Sequence, residues 1–168
     1  MPPAAQAALV AMRDKQPAYA TRLRYIIHLL RDGQTVPVLL TQPTVTGIGQ
    51  DPTTGKDLAR LLEGLYWYQV LEIYNDTMRH VAETENVYVI DLAQTMPKDT
   101  KYYWDRIHYT DAGSKKVAQL VAKGILPYLR QQFPSYSRGT CEITSANPGL
   151  IGEKSNNGVF PFSASGSR

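Results

Sequence analysis

Val87-Tyr88-Val89-Ile90-Asp91-Leu92 is a short β-branched run that opens into a loop through Pro97. Beyond it the chain reads Trp104-Asp105-Arg106-Ile107-His108-Tyr109-Thr110-Asp111-Ala112-Gly113-Ser114. A brief apolar run bounded by turn signals reads as a buried strand. Thr110 or Asp111 can accept hydrogen bonds from the first free amides of a helix. Val117, Leu120, Val121, Ile125 and Leu129 then recur at helical spacing, so the helix runs through Leu129 with one face suited to a sheet. Strand, loop and helix in that order make half of a parallel α/β unit.

Working outward, a long helix is expected from about Leu58 to Glu83, ended at Asn86, with Leu62, Leu65, Tyr66, Tyr68, Val70, Ile73, Met78 and Val81 on its apolar face. Thr44 to Gly55 is rich in Thr, Gly and Pro and reads as a loop. Val36 to Thr41, ending at Pro43, reads as another buried strand despite Pro37 near its start. Leu23, Ile26, Ile27 and Leu30 mark an amphipathic helix from Ala18 to Leu30, stopped at Asp32-Gly33. Ala4 to Met12 is helical by propensity, with Pro17 separating or kinking the two helices.

The order helix, strand, helix, strand, helix implies two parallel strands joined by a right-handed crossover. Two strands make a small sheet whose edges need cover or pairing, the first sign of a part of a larger fold. The expected division is an α/β domain over 1–133 and an irregular tail over 134–168, disordered in part or contacting a partner, since the chain after Pro134 lacks periodicity.

Composition narrows the function classes. Of 168 residues, 43% are hydrophobic and 20% charged, ordinary for one globular domain able to fold without a metal or disulfide framework. The net charge of +3 comes from scattered Lys and Arg that form no basic stripe, so no nucleic-acid partner is expected. The single cysteine, Cys141, excludes an internal disulfide and a cysteine-cluster metal site. No apolar run approaches the ~20 residues of a membrane span. Met1 to Met12 lacks the basic start of a signal peptide, and the compartment is left open.

Asp105 and His108 lie three apart in a loop beyond the second strand, the side of an α/β sheet where sites form. A carboxylate there can accept from histidine Nδ1–H, fix the tautomer and stabilise the imidazolium, leaving Nε2 to take a proton from a hydroxyl. The spacing alone also suits a plain surface hydrogen bond. Tyr102, Tyr103 and Trp104 just before it can wall an acyl pocket or bury the loop. His28 and His80 fall within helices as surface or boundary residues, Asp91 suits structural hydrogen bonding, and Gly47-Ile48-Gly49 is a flexible loop without a nucleotide fingerprint.

The segment from Trp104 to Ser114 resembles the last block of the SGNH/GDSL hydrolases, in which an Asp-x-x-His pair is followed closely by a glycine opening the C-terminal helix. Val87 to Leu92 looks like that family's last strand and Tyr74-Asn75 like part of its preceding helix. Val38-Leu39-Leu40-Thr41-Gln42-Pro43 is similar to its fourth strand with the usual following proline. The resemblance spans roughly residues 18 to 130, the C-terminal half of the family fold. It implies a partial flavodoxin-like, three-layer α/β fold. It also implies serine-dependent hydrolysis of a small acyl ester or acetylated carbohydrate, with Asp105 and His108 as the acid–base pair and no cofactor or metal.

The family's Gly-Asp-Ser nucleophile segment, the glycine after its second strand and its Gly-x-Asn-Asp segment have no counterpart here. Ile73-Tyr74-Asn75-Asp76 lacks the glycine and sits inside a helix, so it reads as packing and surface residues. The absent segments supply the oxyanion donors, each worth a hundredfold or more in rate by order of magnitude. Substitutes for the nucleophile are Ser114 at a helix start, the tail serines Ser135, Ser137, Ser145, Ser155, Ser163, Ser165 and Ser167, a serine from a partner subunit or from a segment lost by truncation, or a water activated by His108. The competing expectation is a non-catalytic remnant, stable as a homo-oligomer of two or more chains that repairs the missing half of the sheet.

Overall fold

The structure, a computed structural model, describes residues 2–136. Cys141 and the tail serines from Ser137 onward lie outside the described residues. The elements are α1 (Pro3–Arg13), α2 (Gln16–Asp32), β1 (Val38–Leu40), α3 (Gly64–Thr84), β2 (Tyr88–Ile90), the short α4 (Leu92–Thr95) and α5 (Asp111–Gln132). β1 and β2 pair in parallel, with Val38, Leu39 and Leu40 opposite Tyr88, Val89 and Ile90. The chain is thus mixed α/β with a two-stranded parallel sheet among the described residues.

Strand alternation sorts the sheet into two faces. Leu39 and Val89 pack on a cluster of Ala20, Leu23 and Ile27 from α2 with Val81 and Ala82 from α3. Tyr88 and Ile90 point the other way, toward α5. Tyr88 donates its hydroxyl to the Gly124 carbonyl at 2.8 Å and stacks near Tyr128, while Ile90 lies against Gly124, where a Cβ would come within 2.7 Å of its methyl. Helices therefore lie on both faces of the sheet.

The first strand is not buried as expected. Val38 and Leu39 are half-buried and Leu40 is 38% exposed. α5 packs on β2, and no described strand continues the sheet beyond β1. Ile26, Leu29 and Leu30 on α2 are exposed as well.

The long helix also starts later than its apolar pattern suggests. Leu62 and Glu63 take left-handed backbone angles, at a cost of about 1–2 kcal/mol each, so α3 begins at Gly64. What this achieves is burial of Leu58 in a second core with Val45, Met96 and Tyr103. The Leu58 carbonyl sits where a Cβ on residue 64 would be, 2.0 Å away, and only glycine admits it. This second core lies beneath the loops at the carboxyl ends of the strands.

The start of the predicted tail is a 3-10 turn, Pro134–Tyr136. No described helix is long and apolar enough to cross a membrane.

Candidate functional site

The loop carrying Asp105 and His108 is built by a succession of local hydrogen bonds. Asp91, at the end of β2, accepts from the Gln94 amide and starts α4. Its carboxylate also accepts from the Thr41 hydroxyl at 2.7 Å and from Arg79, tying the ends of both strands together. Burial alone would raise the pKa of Asp91, but the Arg79 and Thr41 bonds outweigh it and hold the carboxyl below its ordinary value. Asp99 then caps a 3-10 turn over Thr100–Tyr102. Tyr103 and Tyr109 form an antiparallel bridge, the Trp104 N–H donates to the His108 carbonyl at 2.8 Å, and Thr110 caps α5 by accepting from the Gly113 amide.

Between the two sides of that bridge the chain turns through Asp105, Arg106 and Ile107. Asp105 Oδ1 accepts the amides of Ile107 and His108, both at 2.9 Å, and Oδ2 lies 2.7 Å from His108 Nδ1. The amides of His108 and Ile107, then the imidazole itself, hold the Asp105 carboxyl well below the usual carboxylate range. An ionised carboxylate accepts only, so in the neutral imidazole the proton sits on Nδ1 and Nε2 carries the free lone pair. Nε2 has no hydrogen-bond partner among the described residues, and the His108 side chain is 73% exposed.

The loop is anchored from outside as well. The Arg106 carbonyl accepts from the Val45 amide and the Thr44 hydroxyl, each at 3.0 Å, and the Arg106 guanidinium lies over the Trp67 ring at 4.2 Å. Lys98 reaches beneath the neighbouring loop to donate to the carbonyls of Thr44 and Thr46 at 3.1 and 2.7 Å, and burial pushes its pKa down.

Asp51 is nearly closed off from solvent and accepts from the hydroxyls of Thr100 and Thr54 and from the amides of Thr100, Thr53 and Thr54. Desolvation would raise the Asp51 pKa, but these donors hold it far below the ordinary value. Asp99 likewise accepts from the Thr53 hydroxyl at 2.6 Å. A segment that the sequence marks only as a loop is thus pinned by two buried carboxylates and an ammonium. The signal for the first was the run Asp51-Pro52-Thr53-Thr54-Gly55, an aspartate placed to bond backbone amides two and three residues on.

The three aromatic residues part company. Tyr103 is buried in the second core, its ring 5.4 Å from Tyr109 and its hydroxyl without a partner among the described residues. Tyr102 is half-buried against the same cluster. Trp104 alone faces solvent, 77% exposed. Ser114 is exposed in the first turn of α5, and no hydrogen bond joins its hydroxyl to His108. Ser135 is exposed in the last described turn.

The remaining sequence candidates are structural. His28 meets Glu85 at 3.0 Å in a cluster with Arg24 and Arg31 on the helix surface, and His80 is exposed. Within the stretch read as packing and surface residues, Asn75 is buried and bonds the backbone of Gln42. Clefts lined by Arg31, Pro37 and Tyr128, and by residues of α1 with Leu65, lie elsewhere and do not include Asp105 or His108. Among the described residues, no group of three His, Cys, Asp or Glu side chains is placed to hold a metal.

A scan against protein-family models, a search of curated proteins and a search of solved structures each find no match to this chain.

Proposed function

We propose that the chain is a serine-type ester hydrolase of the SGNH kind, representing the C-terminal half of that flavodoxin-like fold, in which Asp105 and His108 are the acid–base pair. The observation that carries the reading is the 2.7 Å contact between Asp105 Oδ2 and His108 Nδ1, with the second carboxylate oxygen fixed by two backbone amides and Nε2 open. Placement of helices on both faces of the parallel sheet, and of the pair beyond its carboxyl end, supports the same assignment.

In this chemistry His108 Nε2 takes the proton of a nucleophilic hydroxyl as the oxygen adds to the ester carbonyl, and Asp105 stabilises the imidazolium. The proton passes to the departing alkoxide. A water, deprotonated by the same imidazole, then releases the acid and restores the hydroxyl. The hydroxyl belongs to a serine outside the dyad loop, from another part of this chain or from a partner subunit. Hydrolysis of a short-chain 4-nitrophenyl ester by the full chain tests the reading: His108→Ala abolishes turnover, and turnover retained in that variant defeats it. Labelling with a fluorophosphonate, mapped by mass spectrometry, identifies the nucleophile.

A second reading, a non-catalytic fragment stabilised as an oligomer, draws on the open β1 edge and the exposed Leu40, Ile26 and Leu29. Light scattering distinguishes it: a well-folded monomer counts against the fragment reading, and a dimer without fluorophosphonate labelling or turnover favours it.

A further inference from the structure

The Tyr103–Tyr109 bridge fixes which side chains share a face of the dyad loop. One residue inward on each side, Trp104 and His108 oppose one another, joined by the Trp104 N–H donated to the His108 carbonyl at 2.8 Å. Side chains alternate along paired strands. Tyr103 and Tyr109 turn inward, their rings 5.4 Å apart over the second core. Trp104 and His108 therefore turn outward together, as their exposures of 77% and 73% record. Directly opposed residues bring their Cβ atoms to about 5 Å, within reach of both rings.

The indole makes no ring stack, cation contact or side-chain hydrogen bond with any described residue, unlike Trp67, which carries both Arg106 and Glu63. An indole held in water beside the open Nε2 leaves a broad apolar face unused, and such a face is favoured against the flat side of another ring. The backbone bond at its own amide sets the Trp104 Cα opposite that of His108, so a ring lying on the indole is near the reacting centre rather than at a remote surface point.

Resting on the hydrolase reading, we propose that Trp104 is a specificity-determining residue, a stacking platform that selects esters whose acyl or alcohol part carries an aryl or pyranose ring over ring-free alkyl esters. Tyr102 and Tyr103, occupied in the core, have no part in it.

The test compares phenyl acetate and acetylated methyl glucoside with ethyl acetate. Trp104→Ala is expected to raise KM for at least one of the ring esters about tenfold with kcat within twofold, to leave ethyl acetate within twofold, and Trp104→Phe to recover part of the loss. The arm that responds separates an aryl from a sugar ligand. Equal effects on ring-bearing and ring-free esters, or none, overturn the proposal while leaving the hydrolase reading intact.

A readout independent of turnover is tryptophan fluorescence. The chain has two tryptophans, Trp67 and Trp104, so the Trp104→Phe variant isolates the signal of Trp67. Saturable quenching by phenol or methyl glucoside in the wild-type chain, absent in Trp104→Phe, supports the platform even if no ester is cleaved, in which case the hydrolase reading fails alone. A signal that follows protein concentration rather than ligand places the indole at a subunit contact and overturns it.

Discussion

Asn75 holds Gln42 by both of its backbone polar groups: Oδ1 accepts the Gln42 N–H at 2.9 Å, and Nδ2 donates to the Gln42 carbonyl at 3.0 Å. The side chain is buried in α3, so one amide replaces the ladder partners that β1 loses where the sheet ends. Asn75→Ala leaves two backbone groups unpaired, and each such group costs about 1–3 kcal/mol. A loss of about 2–3 kcal/mol is expected, read as a lower urea midpoint at unchanged slope. A change below ~0.5 kcal/mol would show that water takes over both bonds.

Asp51 makes stability depend on pH with a definite sign. Its folded pKa lies below the ordinary value, as do those of Asp91 and Asp99. Their contribution is therefore complete above the unfolded carboxyl value of about 4 and is lost as pH falls below it, because the unfolded chain takes up protons that the fold refuses. Thermal midpoints at pH 7, 5 and 3.5 are expected to be level over the first step and to drop over the second. Asp51→Asn, which keeps one acceptor and removes the charge that the Thr100 and Thr54 hydroxyls answer, should cost about 2–3 kcal/mol at pH 7 and reduce that drop. An unchanged pH profile in the variant would transfer the effect to the other two carboxylates.

What was legible in the sequence was whatever a local pattern could carry. The period of Leu23 and Ile27 gave α2, the β-branched run at Val87 gave β2, and the pair Thr110-Asp111 gave the start of α5, of which the structure picks Thr110 as the cap. The helical position of Asn75 is legible in the sequence but its bond is not, because its partner, Gln42, lies 33 residues away and nothing local announces it. The late start of α3 was hidden for the same reason: Leu58 continues the helical period, yet its place is in a core made with Val45, Met96 and Tyr103. At the site, the Asp105–His108 contact spans three residues and was readable, whereas the fates of Tyr102, Tyr103 and Trp104 depended on a bridge to Tyr109 that decides which rings turn inward.

Glycines 113 and 124 offer a ranked pair. Replacing glycine by alanine inside a helix gains up to about 1 kcal/mol in propensity. At Gly113 the new Cβ would lie 2.0 Å from the Tyr102 carbonyl oxygen, and backbone cannot rotate away. Relief requires α5 to withdraw, which breaks the Thr110 N–H bond to Tyr102 and its hydroxyl bond to Lys101. At Gly124 the obstacle is an Ile90 methyl at 2.7 Å, which can shift. Gly113→Ala should thus cost about 2 kcal/mol or more, the overpacking loss exceeding the helical gain, and Gly124→Ala distinctly less. Denaturation midpoints in the opposite order would contradict the packing described for α5.

Asp105→Asn separates a catalytic pair from a surface hydrogen bond. The asparagine Oδ1 can still accept the amides of Ile107 and His108, so the turn keeps its shape, but Nδ2 now presents a donor to Nδ1. His108 must then place its proton on Nε2 to accept that bond, which removes the lone pair that would take the nucleophile's proton. In hydrolases built on such a pair, this single change costs about 10⁴ in kcat. A fall of at least ~10³ in 4-nitrophenyl ester hydrolysis is expected, with the thermal midpoint displaced by only a few degrees because the group is exposed and the amide bonds persist. Retention of activity within tenfold, in a variant shown to be folded, would mean that Asp105 only shapes the loop and that His108 works without an orienting carboxylate.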